Sequence, residues 1–311
     1  MKNNIKVSIH TATYNRAYIL ENAYQSLKKQ TCYDFEWIIT DDGSTDNTEE
    51  LVHKWLNEEN NFSIRYEKLN HNGLIRAINK AVSLAQGDYY FRLDSDDSLM
   101  EDAVKIICEK VNEIDGLPDY VGVGFVIVFP DGSPVKGVWP KTNAEGYVDC
   151  TNLERKKYDL DADMREAYKI SVMKKYPFPV WDDELFAPEQ LQMDAMALDG
   201  YKLRWYSEPI YVCEYHDDGL TKGSWDLLRN NKMGYAMLSN QRLLYERSFK
   251  SLIQSAAQHI ALSINAGYPS YILKSNRKLI TLLSIPYGLL LSIRRKRQFK
   301  WDDPVNRRNF K

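Results

Sequence analysis

The first hundred residues alternate between short apolar runs and segments in which apolar residues recur at helical spacing. The apolar runs 7–11, 35–40, 63–67 and 89–93 predict four strands. The segments between them, 15–30, 48–58 and 74–85, predict three helices. This alternating order predicts an α/β fold with a doubly wound, mostly parallel sheet flanked by helices.

The pattern after residue 100 is less regular. Residues 122–129 and 201–206 predict strands, residues 167–175 and 191–199 predict helices, and residues 141–165 are polar and loop-like. From about Trp225 the spacing is helical to the end of the chain. We therefore expect an α/β domain in the first part of the chain, to residue 221, and a helical extension over residues 222–311.

An acidic run directly follows the fourth predicted strand: Asp94, Ser95, Asp96 and Asp97. Three carboxylates within four positions repel one another, and a divalent cation such as Mg²⁺ or Mn²⁺ relieves that repulsion while sharing its shell with substrate phosphates. A solvated acidic turn is the simpler interpretation. Because ligands bind beyond the carboxyl ends of parallel strands, where Tyr14 and Asp42 also fall, we expect a metal–diphosphate site at this edge.

Composition narrows the classes of partner and compartment. With 44% hydrophobic and 27% charged residues the chain is an ordinary globular protein, and its net charge of −2 gives no reason to expect a nucleic-acid partner. The four cysteines are far apart and lack a Cys-x-x-Cys pair, which indicates reduced thiols and argues against zinc. The polar first residues run straight into a strand, so we expect a cytoplasmic protein.

Five strings stand in order along the first hundred residues: VSIHTATYN (7–15), TDDGSTD (40–46), NG (72–73) before the helix that begins LIRAIN (74–79), AQGD (85–88) and LDSDD (93–97), which contains an Asp-x-Asp motif. Together they resemble the strings of the family 2 inverting glycosyltransferases of GT-A fold. The later strings YPFP (176–179), PE (188–189) and EYHDDGLT (214–221) are similar to those of a bacterial subgroup that builds cell-surface polysaccharides. The resemblance therefore covers the chain to about residue 221, most specifically over its first hundred residues. It implies that residues 1–221 form a GT-A nucleotide-sugar-binding and catalytic domain.

The resemblance implies a nucleotide-sugar donor and a set of residues that bind it. In this family Tyr14 would lie against the nucleobase, Asp42 would accept the uracil imide N–H, and Arg76 would be a cation near the donor. Simpler roles remain open: a core tyrosine, a surface arginine, and turn or helix-capping functions for Asp41, Ser44 and Asp46. The full implied set is Thr13, Tyr14, Asn15, Asp41, Asp42, Asn72, Gly73, Arg76, Asp94, Ser95 and Asp96.

The resemblance also implies a metal cofactor, Mn²⁺ or Mg²⁺. Asp96 and Asp97 are the candidates for direct ligation, and Asp94 is either a ligand or a contact to the ribose. His216 matches a position at which some relatives supply a further ligand, although a lone loop histidine is more often simply exposed. The sequence does not choose among the three acids.

A catalytic base is also required, because inverting transfer needs a carboxylate that takes the proton of the attacking hydroxyl. Glu189 occupies the family position, although the paired acid that many relatives carry there is absent. The alternatives are a helix-capping role for Glu189 and a base among Asp182, Asp183 and Glu184.

The C-terminal part contains an apolar segment, residues 279–293, interrupted by Pro286 and Gly288 and followed by four basic residues at 294–297. Fifteen such residues are too short to span a bilayer as a helix, which takes about 20. We expect an interfacial segment that binds an anionic membrane surface. The alternative is a helix packed on the catalytic domain with a solvated basic end.

Together these features predict a metal-dependent inverting glycosyltransferase, peripheral on the inner face of the cell membrane. It would move a sugar from a nucleotide diphosphate donor, most simply a UDP-sugar, to a growing, lipid-linked oligosaccharide of a surface polysaccharide. One alternative is a sugar-nucleotide nucleotidyltransferase, against which the loop after the first strand lacks a Gly-rich phosphate-binding pattern. The other is a catalytically silent nucleotide-sugar-binding module.

Overall fold

The computed structural model describes residues 5–214 and 224–301, and within them the strands form one nine-stranded sheet. The strands are β1 (Val7–Thr13), β2 (Phe35–Asp41), β3 (Ser63–Lys68), β4 (Tyr89–Arg92), β5 (Ser98–Leu99), β6 (Tyr120–Val128), β7 (Tyr147–Cys150), β8 (Met164–Lys169) and β9 (Lys202–Val212). Their order is β3-β2-β1-β4-β8-β6-β9-β5, and β7 also pairs with β9.

The helices cover the sheet and form most of the C-terminal part. They are α1 (Leu20–Lys28), α2 (Thr48–Leu56), α3 (Leu74–Leu84), α4 (Ala103–Asn112), α5 (Ile170–Met173), α6 (Gln190–Leu198), α7 (Ser224–Asn230), α8 (Lys232–Arg242), α9 (Phe249–Asn265) and α10 (Lys278–Trp301). Short 3₁₀ helices lie at Asn152–Tyr158 and Pro269–Lys274.

The first four strands run parallel, with β1 between β2 and β4. The second half of the sheet is mixed: β8 is antiparallel to β4 and β6, whereas β9 is parallel to β6. The predicted α/β class, with a sheet flanked by helices and a helical C-terminal part, is confirmed. All four predicted N-terminal strands and all three predicted helices are present.

The sheet is held from one side by an aromatic cluster. Trp37 on β2 is fully buried, and Tyr24 on α1 stacks on Trp55 of α2 with ring centroids 4.4 Å apart. Every residue of β2 is buried, as expected for a strand with both faces covered. The apolar stripe of α1 places Leu20 and Leu27 in the same core, so this region is anchored by burial of large side chains.

Two expectations for the middle of the chain are wrong. Residues 167–169 belong to strand β8 instead of a helix, and only Ile170–Met173 is helical. The reason is tertiary, because β8 forms hydrogen-bonded ladders with β4 on one side and β6 on the other. The segment expected to be loop-like contains β7 and a 3₁₀ helix, and helix α4 was not predicted.

The chain divides into two compact units. The first comprises Met1–Pro177 and Met196–Asp217 and contains the sheet, whereas the second comprises Phe178–Ala195 and Asp218–Lys311. In the second unit α8, α9 and α10 pack around Met233, Ala236, Leu262 and Phe299. The domain expected over residues 1–221 includes segment 178–195, which contains Glu189. In the structure this segment belongs to the second unit, together with the C-terminal helices.

Helix α10 extends well beyond the apolar segment seen in the sequence and continues through Pro286. It packs along α9, and the two helices approach so closely that a Cβ on Gly288 would lie 2.7 Å from the Ile260 side chain. No helix within residues 5–214 and 224–301 combines the length and the apolar character that crossing a bilayer requires.

Candidate active site

The carboxyl ends of β2, β1 and β4 lie side by side, because these strands are parallel neighbours in that order. The amide of Asp42, just after β2, donates to the carbonyl of Thr13 at the end of β1, at 2.8 Å. The amide of Leu93, just after β4, donates to the carbonyl of His10 at 2.9 Å. The loops that carry Tyr14, Asp42 and the acidic run therefore meet at one sheet edge.

The loop after β1 is locked to the loop after β2 by the side chain of Asn15. Its Oδ1 accepts hydrogen bonds from the amides of Thr45 and Asp46, at 2.8 and 3.3 Å. Its own amide donates to the Ser44 hydroxyl at 2.8 Å. Asn15 has a φ of 53°, a left-handed conformation that asparagine adopts more readily than most residues. These bonds fix the backbone on either side of Tyr14.

The two aspartates after β2 have different partners. Asp41 accepts from the amide of Ser44 at 2.7 Å and from the Tyr66 hydroxyl at 2.6 Å, so it holds the turn. Asp42 accepts from the amides of Asn72 and Gly73, at 2.7 and 2.9 Å, and thereby caps the start of α3. A carboxylate has about four acceptor sites, so Asp42 keeps capacity for a further donor.

An exposed ring platform lies beside Asp42. Tyr14 is 43% exposed and stacks on His71 with ring centroids 4.2 Å apart. The Nδ1 atom of His71 lies 3.3 Å from the carboxylate of Asp42. Such a surface can accept a planar ring.

Three further members of the predicted donor set lie around this edge. The Thr13 hydroxyl is buried and has no hydrogen-bond partner among the described residues. Ser95 is buried, and its hydroxyl accepts from Arg16 at 3.4 Å. Arg76 lies in the first turn of α3 and donates to the carbonyl of Asn72 at 2.9 Å. Thr13 is notable, because buried hydroxyls usually have a partner.

Arginines neutralise the acidic run. Arg16 donates to Asp96 Oδ2 at 2.6 Å, and both side chains are largely buried. Arg165, on β8, pairs with Asp94 and lies 3.6 Å from Asp97. Arg92 lies 3.0 Å from Asp94.

The environment separates the pKa values of the acids. Burial opposes ionisation of Asp94, but the guanidinium groups of Arg165 and Arg92 outweigh it and hold the pKa of that carboxyl below its usual value. Burial raises the pKa of Asp97 to about 6, reinforced by the neighbouring carboxylate of Asp94. The pKa values of these two acids therefore shift in opposite directions, because arginines stabilise the carboxylate of Asp94 more than that of Asp97.

Asp97 is integrated into the fold more deeply than Asp96. It accepts from the hydroxyl of Tyr211 at 2.7 Å and from the amide of Glu214 at 3.3 Å. The same hydroxyl accepts from the amide of Asp94 at 2.9 Å, so Tyr211 pins the acidic loop to β9. Arg165 stacks over the Tyr211 ring at 4.4 Å.

Several residues that build this site have no function predicted from the sequence: Arg16, His71, Arg92, Arg165 and Tyr211. Arg16 and Arg92 each lie within four positions of a string that the sequence singled out. Arg165 offered a weaker signal, a cation inside a segment whose neighbours Met164 and Ala167 are buried. Only the pairing of β8 with β4 brings it to the acids.

The acids fit a divalent ion that takes the rest of its shell from phosphates and water. Among residues 5–214 and 224–301, no group of three or more His, Cys, Asp or Glu side chains is arranged to hold an ion alone. Asp96 is paired with one long, flexible side chain, so it can change partner at small structural cost. Magnesium sites of this kind commonly use one or two carboxylates with substrate phosphates. His216 lies outside the described residues.

The candidate base lies in the helical unit. Glu189 immediately precedes α6, is partly exposed, and its carbonyl accepts from the amides of Gln192 and Met193. Of the alternatives, Glu184 is buried and caps α8: its carboxylate accepts from the amides of Met233 and Gly234, at 2.5 and 2.9 Å. These two hydrogen bonds to the N-terminus of α8 give Glu184 a structural role.

Comparison with known proteins places this geometry in a family. Residues 8–164, half of the chain, match the family model described as Glycosyl transferase family 2. The chain belongs to glycosyl transferase family 2. The predicted family is confirmed.

Relatives in sequence are bacterial polysaccharide glycosyltransferases. Abequosyltransferase RfbV of Salmonella typhimurium is 28% identical over 267 residues, which cover 79% of either chain. Chondroitin synthase of Pasteurella multocida is 38% identical over 141 residues, 45% of this chain but 14% of its own length. This chain therefore corresponds to a small part of that relative.

Solved structures confirm the GT-A type of fold. Staphylococcus aureus TarS in complex with UDP-GlcNAc matches 92% of this chain and 81% of its own, with a TM-score of 0.59 at 16% identity. The mannosyltransferase PcManGT from Pyrobaculum calidifontis, in complex with GDP-Man and Mn²⁺, matches with a TM-score of 0.51 at 15% identity. At these identities the likeness concerns the fold alone.

Proposed function

We propose that this protein is a metal-dependent inverting glycosyltransferase that moves a sugar from a UDP-linked donor to a growing, lipid-linked surface-polysaccharide oligosaccharide. The observation that carries the proposal is the convergence, at one sheet edge, of an exposed ring platform, an orphaned hydroxyl and an arginine-neutralised acidic loop. A nucleotide diphosphate presents the matching groups, namely a base, hydroxyls and concentrated negative charge.

The contacts of these residues support the following donor-binding roles. The Tyr14–His71 platform would stack the base, and the remaining acceptor capacity of Asp42 would take the uracil imide N–H. The unpartnered Thr13 hydroxyl would bond the donor, which satisfies a buried polar atom. Asn15 and Asp41 would act indirectly by holding the backbone of the two loops.

Asp96 would hold the divalent ion, with Asp94, Asp97 and His216 as the other predicted ligands. Such an ion, Mn²⁺ or Mg²⁺, neutralises charge that develops on the leaving diphosphate. Arg165 and Tyr211 would keep Asp94 and Asp97 in place. For Asp96 to accept an ion, Arg16 must release it, and its guanidinium then becomes available to the diphosphate.

Glu189 would act as the base. The acceptor hydroxyl oxygen attacks the anomeric carbon and forms the new glycosidic bond, while the bond from that carbon to the diphosphate breaks. The diphosphate leaves with the electron pair, and the hydroxyl proton passes to the Glu189 carboxylate. Attack opposite the leaving group inverts the anomeric configuration. The carboxylate of Glu184 caps the start of α8, which supports Glu189 over Glu184 as the base.

We place the enzyme in the cytoplasm, peripheral on the inner face of the cell membrane, where α10 would bind an anionic surface. A panel of nucleotide sugars, each tested for hydrolysis and thermal shift with Mn²⁺, with Mg²⁺ and with a chelator, tests the proposal. We expect one UDP-sugar to give both signals, and only with a metal. Metal-independent hydrolysis, or no hydrolysis of any donor, would overturn it.

A further inference from the structure

Helix α10 carries its small and polar residues inward and its leucines outward. Ser284 is fully buried, and Gly288 lies directly against Ile260 of α9. By contrast, Leu279 is 77% exposed and Leu290 is 67% exposed. This is the reverse of an ordinary surface helix, whose apolar stripe faces the core. The exposed leucines thus form a continuous apolar face that the described residues leave uncovered.

The character of that outward face changes along the helix. Apolar side chains dominate to Ile293, after which Arg294, Lys296, Arg297 and Lys300 are exposed. The helix contains no aspartate or glutamate over its 24 residues. An apolar face followed by a purely cationic one suits the boundary between hydrocarbon and anionic headgroups.

A cavity of about 770 Å³ opens on one flank of α10, where the helix meets the ends of α7 and α9 and the start of α8. Among the described residues that line it there is no carboxylate, and four lining side chains are cationic: Arg229, Lys232, Lys296 and Lys300. The nearby Asp226 pairs with Arg229 at 3.2 Å, but its side chain is 60% exposed and does not line the cavity. Among the described residues, the charged side chains that line the cavity are therefore all cationic, whereas Glu184, which acts electrostatically on Lys232, lies outside the lining.

Two contacts make the cavity a built feature. Asn265 of α9 donates to the carbonyls of Ala261 and Ser292, at 2.9 and 3.1 Å, which fixes the α9–α10 spacing along one wall. The ammonium of Lys232 lies 5.6 Å from the centroid of the Phe299 ring, which orients this cation at another wall.

The cavity is continuous with the apolar face. Leu289 and Ile293 line it, and both are also about half exposed on the outward side of α10. Leu282 precedes Leu289 by seven residues, or two helical turns, so it lies on the same flank. A ligand held by the cations therefore has an apolar track leading away from it.

We propose that this cavity binds the phosphate head of a single membrane lipid, whose hydrocarbon chain lies along Leu282, Leu289 and Ile293. Phosphate supplies the negative charge that the four cations attract, and the chain covers leucines that are otherwise exposed to water. The inference deepens the proposed function, on which it rests for its membrane setting. The occupant is a phospholipid, which joins a phosphate to hydrocarbon chains.

Calorimetric titration of the full chain with two soluble probes tests this inference. Glycerol 3-phosphate carries the head alone, whereas a short-chain 1-acylglycerol 3-phosphate, used below its critical micelle concentration, carries head and chain. We expect the acylated probe to bind at least 10-fold more tightly. Equal affinity would overturn the lipid assignment in favour of a soluble phosphate site, and absence of binding by both probes would overturn the site itself.

Matched variants separate the cavity from general surface charge. The double variant Lys296→Gln with Lys300→Gln should lower the affinity for the acylated probe at least 10-fold. Arg294→Gln with Arg297→Gln removes the same charge from the same helix outside the cavity and should change affinity less than 3-fold. Equal losses in the two double variants would overturn the proposal.

A third variant tests the hydrocarbon track. Leu289→Asn should weaken the acylated probe and leave glycerol 3-phosphate unchanged, whereas equal loss for both probes would contradict a chain along this flank. None of these titrations uses a donor sugar. Failure here with intact donor hydrolysis would refute the lipid site alone, whereas absent hydrolysis with intact lipid binding would refute the proposed function alone.

Discussion

The sheet edge and helix α10 differ in which side chains they bury: the sheet edge buries charged side chains, whereas α10 exposes apolar ones. At the sheet edge, Asp94, Asp97 and Arg165 are drawn into a buried network while the strands behind them supply an apolar core. On α10, leucines face outward and serines pack inward. Both arrangements cost free energy: the sheet edge removes charged groups from water, and α10 exposes leucines to water.

The difference between the regions concerns what compensates that cost. At the sheet edge the compensation is internal, because each buried carboxylate has a guanidinium or hydroxyl partner. On α10 the described residues offer no cover for the leucines, so the compensation we infer is external, an apolar surface. Variants at the sheet edge should therefore change donor chemistry, and variants on α10 should change membrane binding.

The largest expected effect is that of Asp96→Ala. Loss of the acid best placed to exchange its partner for an ion should lower metal-dependent transfer by about 10³-fold or more. The fold should survive, because Asp96 contacts Arg16 at a loop and lies outside the core. Steady-state transfer and circular dichroism measure the two quantities. Normal turnover of this variant with a chelator present would contradict a metal-binding role for the sheet edge.

Glu189→Gln should lower kcat by about 10²–10⁴-fold while leaving donor affinity within about 2-fold. Glutamine keeps the shape and an acceptor oxygen but takes no proton. Asp183→Asn, an exposed neighbour, serves as the control and should be neutral. Loss of donor binding in calorimetry without a selective rate defect would assign Glu189 a structural role instead.

Leu283→Ser combined with Leu290→Ser should weaken binding to anionic vesicles at least 10-fold, since each exposed leucine contributes apolar area to the contact. Donor hydrolysis should be unchanged. High salt should weaken binding of the wild-type protein to anionic vesicles, and neutral vesicles should bind it less. Vesicle co-sedimentation provides the measurement, and wild-type retention of the variant would exclude a leucine-mediated contact.

Deleting residues 279–311 is a less direct test of the same membrane contact. Because α10 packs on α9 through Gly288 and Ile260, its removal exposes a buried helix face. We expect the truncated chain to leave the membrane fraction and also to lose stability. The point variants avoid that ambiguity.

Arg16→Gln should raise the affinity for Mn²⁺ in the absence of donor by about 3–10-fold. The guanidinium occupies the carboxylate of Asp96 at 2.6 Å, and a divalent ion must compete with it. Electron paramagnetic resonance of free Mn²⁺ measures this without catalysis. Arg76→Gln is the matched control, since Arg76 donates to the backbone carbonyl of Asn72 at the start of α3. Unchanged Mn²⁺ affinity in both variants would show that Arg16 does not compete for the site.

The smallest expected effect concerns Glu184 and pH. Burial raises the pKa of this carboxyl above its ordinary value of 4.5, and the amides of Met233 and Gly234 only partly oppose that rise. Its contribution to stability is therefore complete below pH 4.5 and declines as pH rises through the higher folded-state pKa. The unfolding free energy of wild type minus that of Glu184→Gln should fall as the pH rises over this range. Urea titrations at a series of acidic to neutral pH values measure it, and a rising difference would contradict the assignment.

The sequence by itself determined the parts of the molecule that depend on local order. The four N-terminal strands and three helices followed from hydrophobic spacing, which reports which face of each element is buried. The loops at Tyr14, Asp42 and the acidic run were placed at one edge because parallel neighbours align their carboxyl ends. The family was recognisable because its motifs are short strings in a fixed order.

Tertiary structure alone decided the partners of those residues and the orientation of α10. Arg165 reaches Asp94 across 71 positions and Tyr211 reaches Asp97 across 114, and strand pairing creates both contacts. Residues 167–169 became a strand because two neighbouring strands complete their backbone hydrogen bonds there. On α10 the apolar spacing marked a face but not its direction: only the close approach of α9 at Gly288 turned the small residues inward and the leucines outward.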